Sequence, residues 1–382
     1  VRFFVADTLT GQIVGQLHPT AWEVAEKLRS PGIGSITVPL PTGEDAVRNL
    51  VDLTLPRRRW VAIEDDAGGF LWGGPIPRRA ARSDGSVSIP VVEWRGWFYN
   101  CPIRPLPDGS RRNYIKTGAD AREQALIMAD LFELALDTVG APAMVVDTPP
   151  TTDVTRELTA LMLDRSIGEY LDSISQRERG AEWYTYITRD VADPTKLVTH
   201  AAVAYPERQT RTTPIRVEYR RGQGGNAADY AWPEGMESPT RVWAVGDGEP
   251  PDQAVAVDET ADLTDGADVC WEHTMGPLDG VSRKATAFEY AYAYLSYAQG
   301  LSGSAEFTIT DGAIPLRDYA VGDRARVIID DGWDVADVPA ARITERVMSG
   351  GRGVPTQARI TVDLANNVYG DTSTIPGEAV TE

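Results

Sequence analysis

Short runs of aromatic and β-branched residues, each closed by a glycine or aspartate turn, recur at both ends of this chain and limit what it can become. Trp60–Glu64, the turn Asp65-Asp66-Ala67-Gly68-Gly69 and Phe70–Trp72 make the clearest hairpin. Arg2–Asp7 and Ile13–Leu17 flank a Thr10-Gly11 turn and read as another. Ser35–Leu40 and Ser86–Val92 continue the pattern, with one helical stretch, Thr20–Leu28, between strands. Lys196–Tyr205, Thr213–Tyr219 and Thr240–Val245 are further strand candidates. At the far end, Glu306–Thr310 and Arg324–Asp330 are followed by Ala341–Met348 and Thr356–Leu364, which pair across a long flexible loop, Ser349–Gly353. Many short strands at regular spacing point to small barrels or sandwiches.

Three segments switch to helical spacing. Asp120 stands three residues before Glu123, a capping-box arrangement, and Ala125, Met128, Ala129, Phe132, Leu136 and Val139 recur on one face up to Gly140. Ser166 and Glu169 repeat that grammar ahead of Ile167, Tyr170, Leu171 and Ile174, and Gly180 ends the segment before a strand at Glu182–Thr188. The third helix, Arg283–Gln299, carries Tyr290, Tyr292, Tyr294 and Tyr297 and is aromatic nearly all round. The expected class is therefore α+β, mainly β.

At 382 residues the chain is too long for one ordinary core. Its expected domains are a β-barrel-like domain over 1–105, a helical or mixed insertion over 106–180 and a β-rich acidic domain over 181–280. A helix plus a second barrel-like domain over 281–368 and a frayed tail over 369–382 complete the division. No apolar run reaches the roughly 20 residues that span a bilayer, so no membrane insertion is expected of this chain. The first residues also lack the apolar core of a secretion signal.

Only two cysteines occur, Cys101 and Cys270, without CxxC spacing, and the three histidines are scattered. Disulfide scaffolds, zinc ribbons and iron–sulfur clusters are excluded, and no cofactor, metal or catalytic residue is expected. Gly222-Gln223-Gly224-Gly225 lacks the Lys-Ser/Thr of a phosphate loop and reads as a turn.

The net charge of −19 is unevenly spread. Residues 1–125 hold 16 basic against 14 acidic residues, and the remainder 21 against 42. Within Gly225–Gly280 a single basic residue, Arg241, faces 13 acids, among them Asp247, Glu249, Asp252, Asp258, Glu259, Asp262, Asp265, Asp268 and Glu272. Such a surface repels polyanions and disfavours duplex DNA held by counterion release. A solvated acidic loop is its simplest reading, because Asp262–Asp268 lacks the ligand order and terminal glutamate of a calcium loop.

The order of elements resembles a known family. An aromatic first strand is followed by a tryptophan hairpin running into Gly73-Gly74-Pro75-Ile76, and a capped helix, Ser166-Ile167-Gly168-Glu169-Tyr170-Leu171, leads through Gly180 to Glu182-Trp183. A late helix then precedes Tyr319-Ala320-Val321-Gly322-Asp323 and a final hairpin. Together these are similar to the tail-hub (baseplate-hub-like) minor tail proteins of long-tailed bacteriophages, in the form found in phages of actinobacteria. The turn has its own physical content: Gly322 accepts a positive φ and Asp323 bonds neighbouring amides, which launches the next strand sharply. Tyr319, Val321, Gly322 and Asp323 are accordingly the structural motif to locate.

The resemblance implies a homotrimer, each subunit similar to two fused tail-tube-like β-barrels with intervening helices. Three such chains approximate a six-unit ring that adapts a sixfold tail tube to a threefold tip and leaves a channel for DNA. It further implies a distal tail protein or tube ring above, tip or spike proteins below, a tape-measure protein inside the channel, and DNA only in transit. The place implied is the distal end of the virion tail, after synthesis in the host cytoplasm. Asp247, Glu249, Asp252, Asp258, Glu259, Asp262, Asp265 and Asp268 are then candidate lumen or interface acids. Three other readings stay open: a distal tail protein forming a hexameric ring, a receptor- or sugar-binding module suggested by ten tryptophans and the tyrosine-rich helix, and a tail-associated peptidoglycan hydrolase. For the last, 56 acids guarantee chance carboxylate pairs, and Glu182 and Asp190 have no supporting motif.

Overall fold

The computed structural model describes residues 1–106, 110, 112–177, 179–222, 224–232, 239–248, 253–266, 269–278, 281–302, 304–309, 312–332 and 335–363. It is mainly β with helices and divides into two compact units. The first comprises Val1–Ser175, Gly180–Tyr230 and Glu306–Val362; the second comprises Gln176–Arg179, Ala231–Ala305 and Asp363–Glu382.

The centre of the first unit is a sheet in which ten of the described strands join. Its middle is the strand Ala21–Lys27, which pairs antiparallel with Ile33–Pro39 on one side and with the long strand Val335–Gly351 on the other, from Glu345 opposite Lys27 to Gly351 opposite Ala21. The helical expectation for Thr20–Leu28 is therefore wrong. Ala, Glu and Lys favour a helix in isolation, but Trp22, Val24 and Glu26 alternate into the core with period two, and hydrogen bonding on both edges overrides local propensity. This strand also explains why the described strands close no barrel at either end of the chain. Both of its edges are committed, one of them to a partner more than 300 residues away, so N-terminal and C-terminal β segments share one sheet. A helix that sequence spacing missed, Glu44–Leu53, buries only Leu53.

A second sheet has the order Ile13–Leu17, Arg2–Asp7, Arg59–Glu64, Phe70–Pro75. The tryptophan hairpin lies here, and Trp60 meets Trp94 edge-on with centroids 5.5 Å apart. Gly74 lets this sheet reach the strand Ser86–Val92, since a Cβ there would stand 1.8 Å from the Val92 carbonyl oxygen.

Two helices cover a three-stranded sheet formed by Met144–Val146, Leu197–Ala204 and Glu182–Arg189. The helix Ile167–Ser175 starts at a complete capping box: Glu169 N donates to Ser166 Oγ at 3.2 Å, and Ser166 N donates back to Glu169 Oε2 at 2.7 Å. The expected box at Asp120 does not form. Gly118–Asp120 is a 3₁₀ turn, Arg122-Glu123 pairs with Thr155-Arg156, and Glu123 spends its carboxylate on the Thr152 and Asp153 amides, so the helix spans Gln124–Leu136. Ile127, Met128, Leu131 and Phe132 pack there against Ile167, Leu171, Ile174 and Trp183.

In the second unit the helix Lys284–Ser302 packs on a three-stranded sheet of Val255–Glu259, Arg241–Gly246 and Glu272–Leu278. Its inner face is Ala287, Ala291 and Leu295 against Val242, Ala244 and Ala256, with Tyr290 and Tyr294 flanking. The aromatic wrap is thus a rim around a small-residue core, because alanine lets helix and sheet approach closely. In the first unit, the final hairpin is tighter than expected. The strand Val335–Gly351 runs on through Ser349–Gly351 and its partner starts at Val354, leaving Arg352-Gly353 as the turn, with Gly353 at φ 76°.

Candidate functional site

Buried charge marks the most organised region of the first unit. Glu26 projects from the middle strand on the face shared with Trp22 and Val24, and each carboxylate oxygen takes a different arginine. Oε1 accepts from Arg208 Nη2 at 2.6 Å and Oε2 from Arg346 Nη2 at 2.7 Å. All three side chains are buried. Arg346 also donates to the carbonyls of Leu71 at 3.2 Å, Leu316 at 2.9 Å and Tyr319. The Arg208 guanidinium lies 4.6 Å from the Tyr184 ring centroid. Two further pairs extend the clasp. Arg342 engages both oxygens of Glu182 at 2.8 and 2.6 Å, and Arg324 Nη2 reaches both oxygens of Glu207 at 2.6 and 2.7 Å. Segments near residues 26, 182–210 and 319–346 are therefore tied by charge-assisted bonds, which are the strong ones when desolvated.

The electrostatics follow from burial. Desolvation pushes the Glu26 carboxyl up, but Arg208 and Arg346 outweigh it and leave it below the ordinary glutamate value. Glu93, buried close by, has Arg95 as a partial offset but also feels Glu26, and burial lifts it to about 7. Its Oε2 accepts the Gly32 amide at 2.8 Å, which pins the turn between the strands Ala21–Lys27 and Ile33–Pro39. These groups line a cavity of about 430 Å³ whose walls include Trp72, Glu93, Tyr184, Arg208, Tyr319 and Arg346. When Glu93 is neutral, Arg208 and Arg346 outnumber Glu26 there.

The structure places the Tyr319–Asp323 motif beside this clasp. Tyr319 and Val321 are fully buried, and Gly322 has φ 98°. A Cβ at Gly322 would stand 2.5 Å from the Arg208 carbonyl oxygen. Asp323 Oδ1 accepts the Thr210 amide at 2.5 Å, while Oδ2 accepts the Thr210 hydroxyl at 2.5 Å and the Ala320 amide at 2.8 Å. The turn thus launches the strand Arg324–Asp330 and also holds the segment that carries Arg208. Sequence reasoning did not find Glu26, Glu93, Arg208, Arg342 or Arg346. The available signal was a carboxylate at a core-facing position of an alternating strand, which a helical reading of Thr20–Leu28 conceals.

The candidate acids are dispersed through the second unit. Asp247 follows the strand Arg241–Gly246 and is exposed; Asp258 is half-buried on Val255–Glu259, where burial raises its carboxyl. Glu259 pairs with Arg241 at 2.9 Å, and Asp262 and Asp265 are exposed around the short helix Ala261–Thr264. Glu249, Asp252 and Asp268 lie outside the described residues. Among the described residues, no group of three or more His, Cys, Asp or Glu could hold a metal ion.

One polar line was not anticipated. His200 Nδ1 lies 2.8 Å from Asp147 Oδ1 and its Nε2 2.9 Å from Thr188 Oγ1. Because the carboxylate requires an N–H, the neutral ring presents Nε2 as the acceptor for the Thr188 hydroxyl. The Tyr186 hydroxyl donates to Asp147 Oδ2 at 2.8 Å, and its ring stacks on the imidazole at 4.5 Å. This arrangement cross-braces the strands Glu182–Arg189 and Leu197–Ala204, where Tyr186 faces His200.

No family model matches the chain, and no curated protein does. Among solved structures, the fold is similar to a tail protein from Neisseria meningitidis, at 12% identity and a TM-score of 0.61, over 97% of this chain and 98% of that one. It is also similar to the 43 kDa tail protein of prophage MuSo2 from Shewanella oneidensis, at 13% identity and a TM-score of 0.58, over 95% and 98% of the two chains. A chain of a Francisella PdpA–VgrG complex is similar at 9% identity and a TM-score of 0.54, over 97% of this chain and 53% of that one. At these identities the likeness is one of fold, and the fold is that of phage tail proteins.

Proposed function

We propose that this chain is a structural protein of a bacteriophage tail tip, a hub that joins a sixfold tail tube to a threefold tip. The observation that carries this reading is the end-to-end match, over 97% and 98% of the two chains, to a tail protein.

On this reading three copies form the ring, as the resemblance in the Tyr319–Asp323 motif and the capped helix suggests. Each would supply two tail-tube-like β modules, although the described strands close no barrel and strands from both ends of the chain share the ten-stranded sheet. The ring would bind a distal tail or tube ring above, tip or spike proteins below and a tape-measure protein within, and DNA would pass without being held. The acids of the second unit would face the passage or the subunit interfaces, where carboxylates do not retain phosphates.

Counting copies of the chain per assembled particle, by reconstruction of the tail tip, tests the proposal. Three copies around the axis are expected. Six copies would assign the chain to the distal ring instead. Wall-degrading activity of the purified chain in zymography would favour the hydrolase reading instead.

A further inference from the structure

We infer that the second unit carries a docking knob centred on Trp271, and that its partner is an arginine face on the first unit of another copy of this chain. The inference rests on the ring-forming reading above and goes beyond it by naming the two surfaces that meet.

The knob is Val269–Trp271, which immediately precedes the strand Glu272–Leu278. The buried Thr240 fixes its backbone. Thr240 N donates to the Trp271 carbonyl at 2.8 Å, and its hydroxyl donates to the Val269 carbonyl at 3.0 Å and accepts the Trp271 amide at 2.7 Å. Arg241 N adds a bond to the Trp271 carbonyl at 3.1 Å. On this pinned backbone Trp271 stays 52% exposed and Val269 67% exposed. A large rigid side chain on a pre-ordered backbone loses little entropy on docking, which suits it to the centre of an interface. The Thr260 amide also bonds to the Thr240 carbonyl at 2.9 Å, which brings the helix carrying Asp262 alongside. Asp262 and Asp265 are exposed, and their carboxylates have no partner among the described residues. The knob is therefore an indole with an acidic margin.

The first unit offers the complement. Arg57 N donates to the Ile76 carbonyl at 2.8 Å and Ile76 N to the Arg59 carbonyl at 3.0 Å, so Pro56–Arg59 lies against Ile76–Arg79. Arg57, Arg58 and Arg78 are exposed on these two segments, and their guanidiniums have no partner among the described residues. Arg79 bonds to the Thr54 hydroxyl at 2.7 Å and to the Val51 carbonyl, drawing in the end of the helix Glu44–Leu53 with Val51 41% exposed. The result is an apolar spot beside three unneutralised cations in a chain of net charge −19.

Two surfaces of opposite character on one chain are what a head-to-tail contact needs, and such contacts generate rings when the rotation closes. A protein partner fits better than a nucleic acid. Phosphates would satisfy the guanidiniums but leave Val51 uncovered, whereas an indole fills the apolar spot and stacks against arginine planes.

Particles assembled from full-length variant chains test the inference. Arg57→Glu, Arg58→Glu and Arg78→Glu together are expected to lower incorporation about tenfold, through like-charge juxtaposition. Adding Asp262→Lys and Asp265→Lys to the same chain is expected to restore it. In Arg58→Cys particles, copper-catalysed oxidation should link the exposed Cys270 of one copy to the new thiol of the next. The resulting dimers and trimers on a non-reducing gel should be absent when Cys270→Ser is added, since Cys101 is buried. Normal incorporation of the triple variant, or failure of rescue together with absence of the link, overturns the interface while a copy number of three leaves the hub reading standing. Normal incorporation with impaired DNA release would assign the arginines to nucleic acid and overturn it too. A wild-type chain missing from the particles removes both.

Discussion

At Glu26 a single carboxylate answers two buried arginines that sit 182 and 320 residues along the chain. Replacing it by glutamine leaves both guanidiniums without their counter-charge in a desolvated site. Breaking a buried pair in this way costs about 3–5 kcal/mol, so Glu26→Gln is expected to lose that much in urea denaturation at pH 7. Glu93 behaves in the opposite sense. Its carboxyl rises from an ordinary 4.5 to about 7 on folding, because burial outweighs Arg95 and Glu26 adds repulsion. The folded protein thus holds a proton that the unfolded chain has released between those values. Stability from this group is therefore greatest in acid, falls as pH rises from 4.5 to 7 and is level above. Glu93→Gln keeps an acceptor for the Gly32 amide and is expected to remove this slope. The variant should be more stable than the wild type at pH 8 by about 3 kcal/mol, from roughly 1.4 kcal/mol per pH unit. Glu26, held low, contributes stability that is present above 4.5 and is lost as pH falls through its folded value, so the two groups bound the stable range from opposite sides.

Elements differ in how openly the sequence declares them. The box at Ser166 and Glu169 is local, since both halves lie within one turn, and it forms where the pattern puts it. Removing the hydroxyl with Ser166→Ala is expected to cost about 1 kcal/mol in thermal or urea unfolding. The similar pattern at Asp120 and Glu123 fails because Glu123 meets Thr152 and Asp153, partners brought in from another segment. Hairpins built on glycine turns were equally legible, as at Trp60–Glu64 and Phe70–Trp72. The strand Ala21–Lys27 was not, because its composition suits a helix and its conformation is decided by neighbours on both edges. With it went the clasp, as Glu26 has a face only once the strand does. The Tyr319–Asp323 turn could be named from sequence as a launching point, but its hold on Thr210 is a contact across 113 residues that spacing alone does not carry.

Across the whole molecule, the pairing of Ala21–Lys27 with Val335–Gly351 makes the first unit depend on both ends of the chain. A chain cut after residue 330 loses that partner, together with Arg342 and Arg346. It is expected to lack cooperative unfolding by circular dichroism and to be degraded in limited proteolysis under conditions where the full chain resists. Contacts of such long sequence separation form slowly, because loop closure must precede them. There is a consequence for biosynthesis. Until the ribosome has released residue 351, an early strand with an aromatic face waits with one open edge, and every nascent copy on a polysome exposes the same edge. Open edges of identical strands pair readily with one another. Added chaperone capacity during translation is therefore expected to raise the soluble yield of the chain, measured as soluble protein with and without co-expressed chaperones.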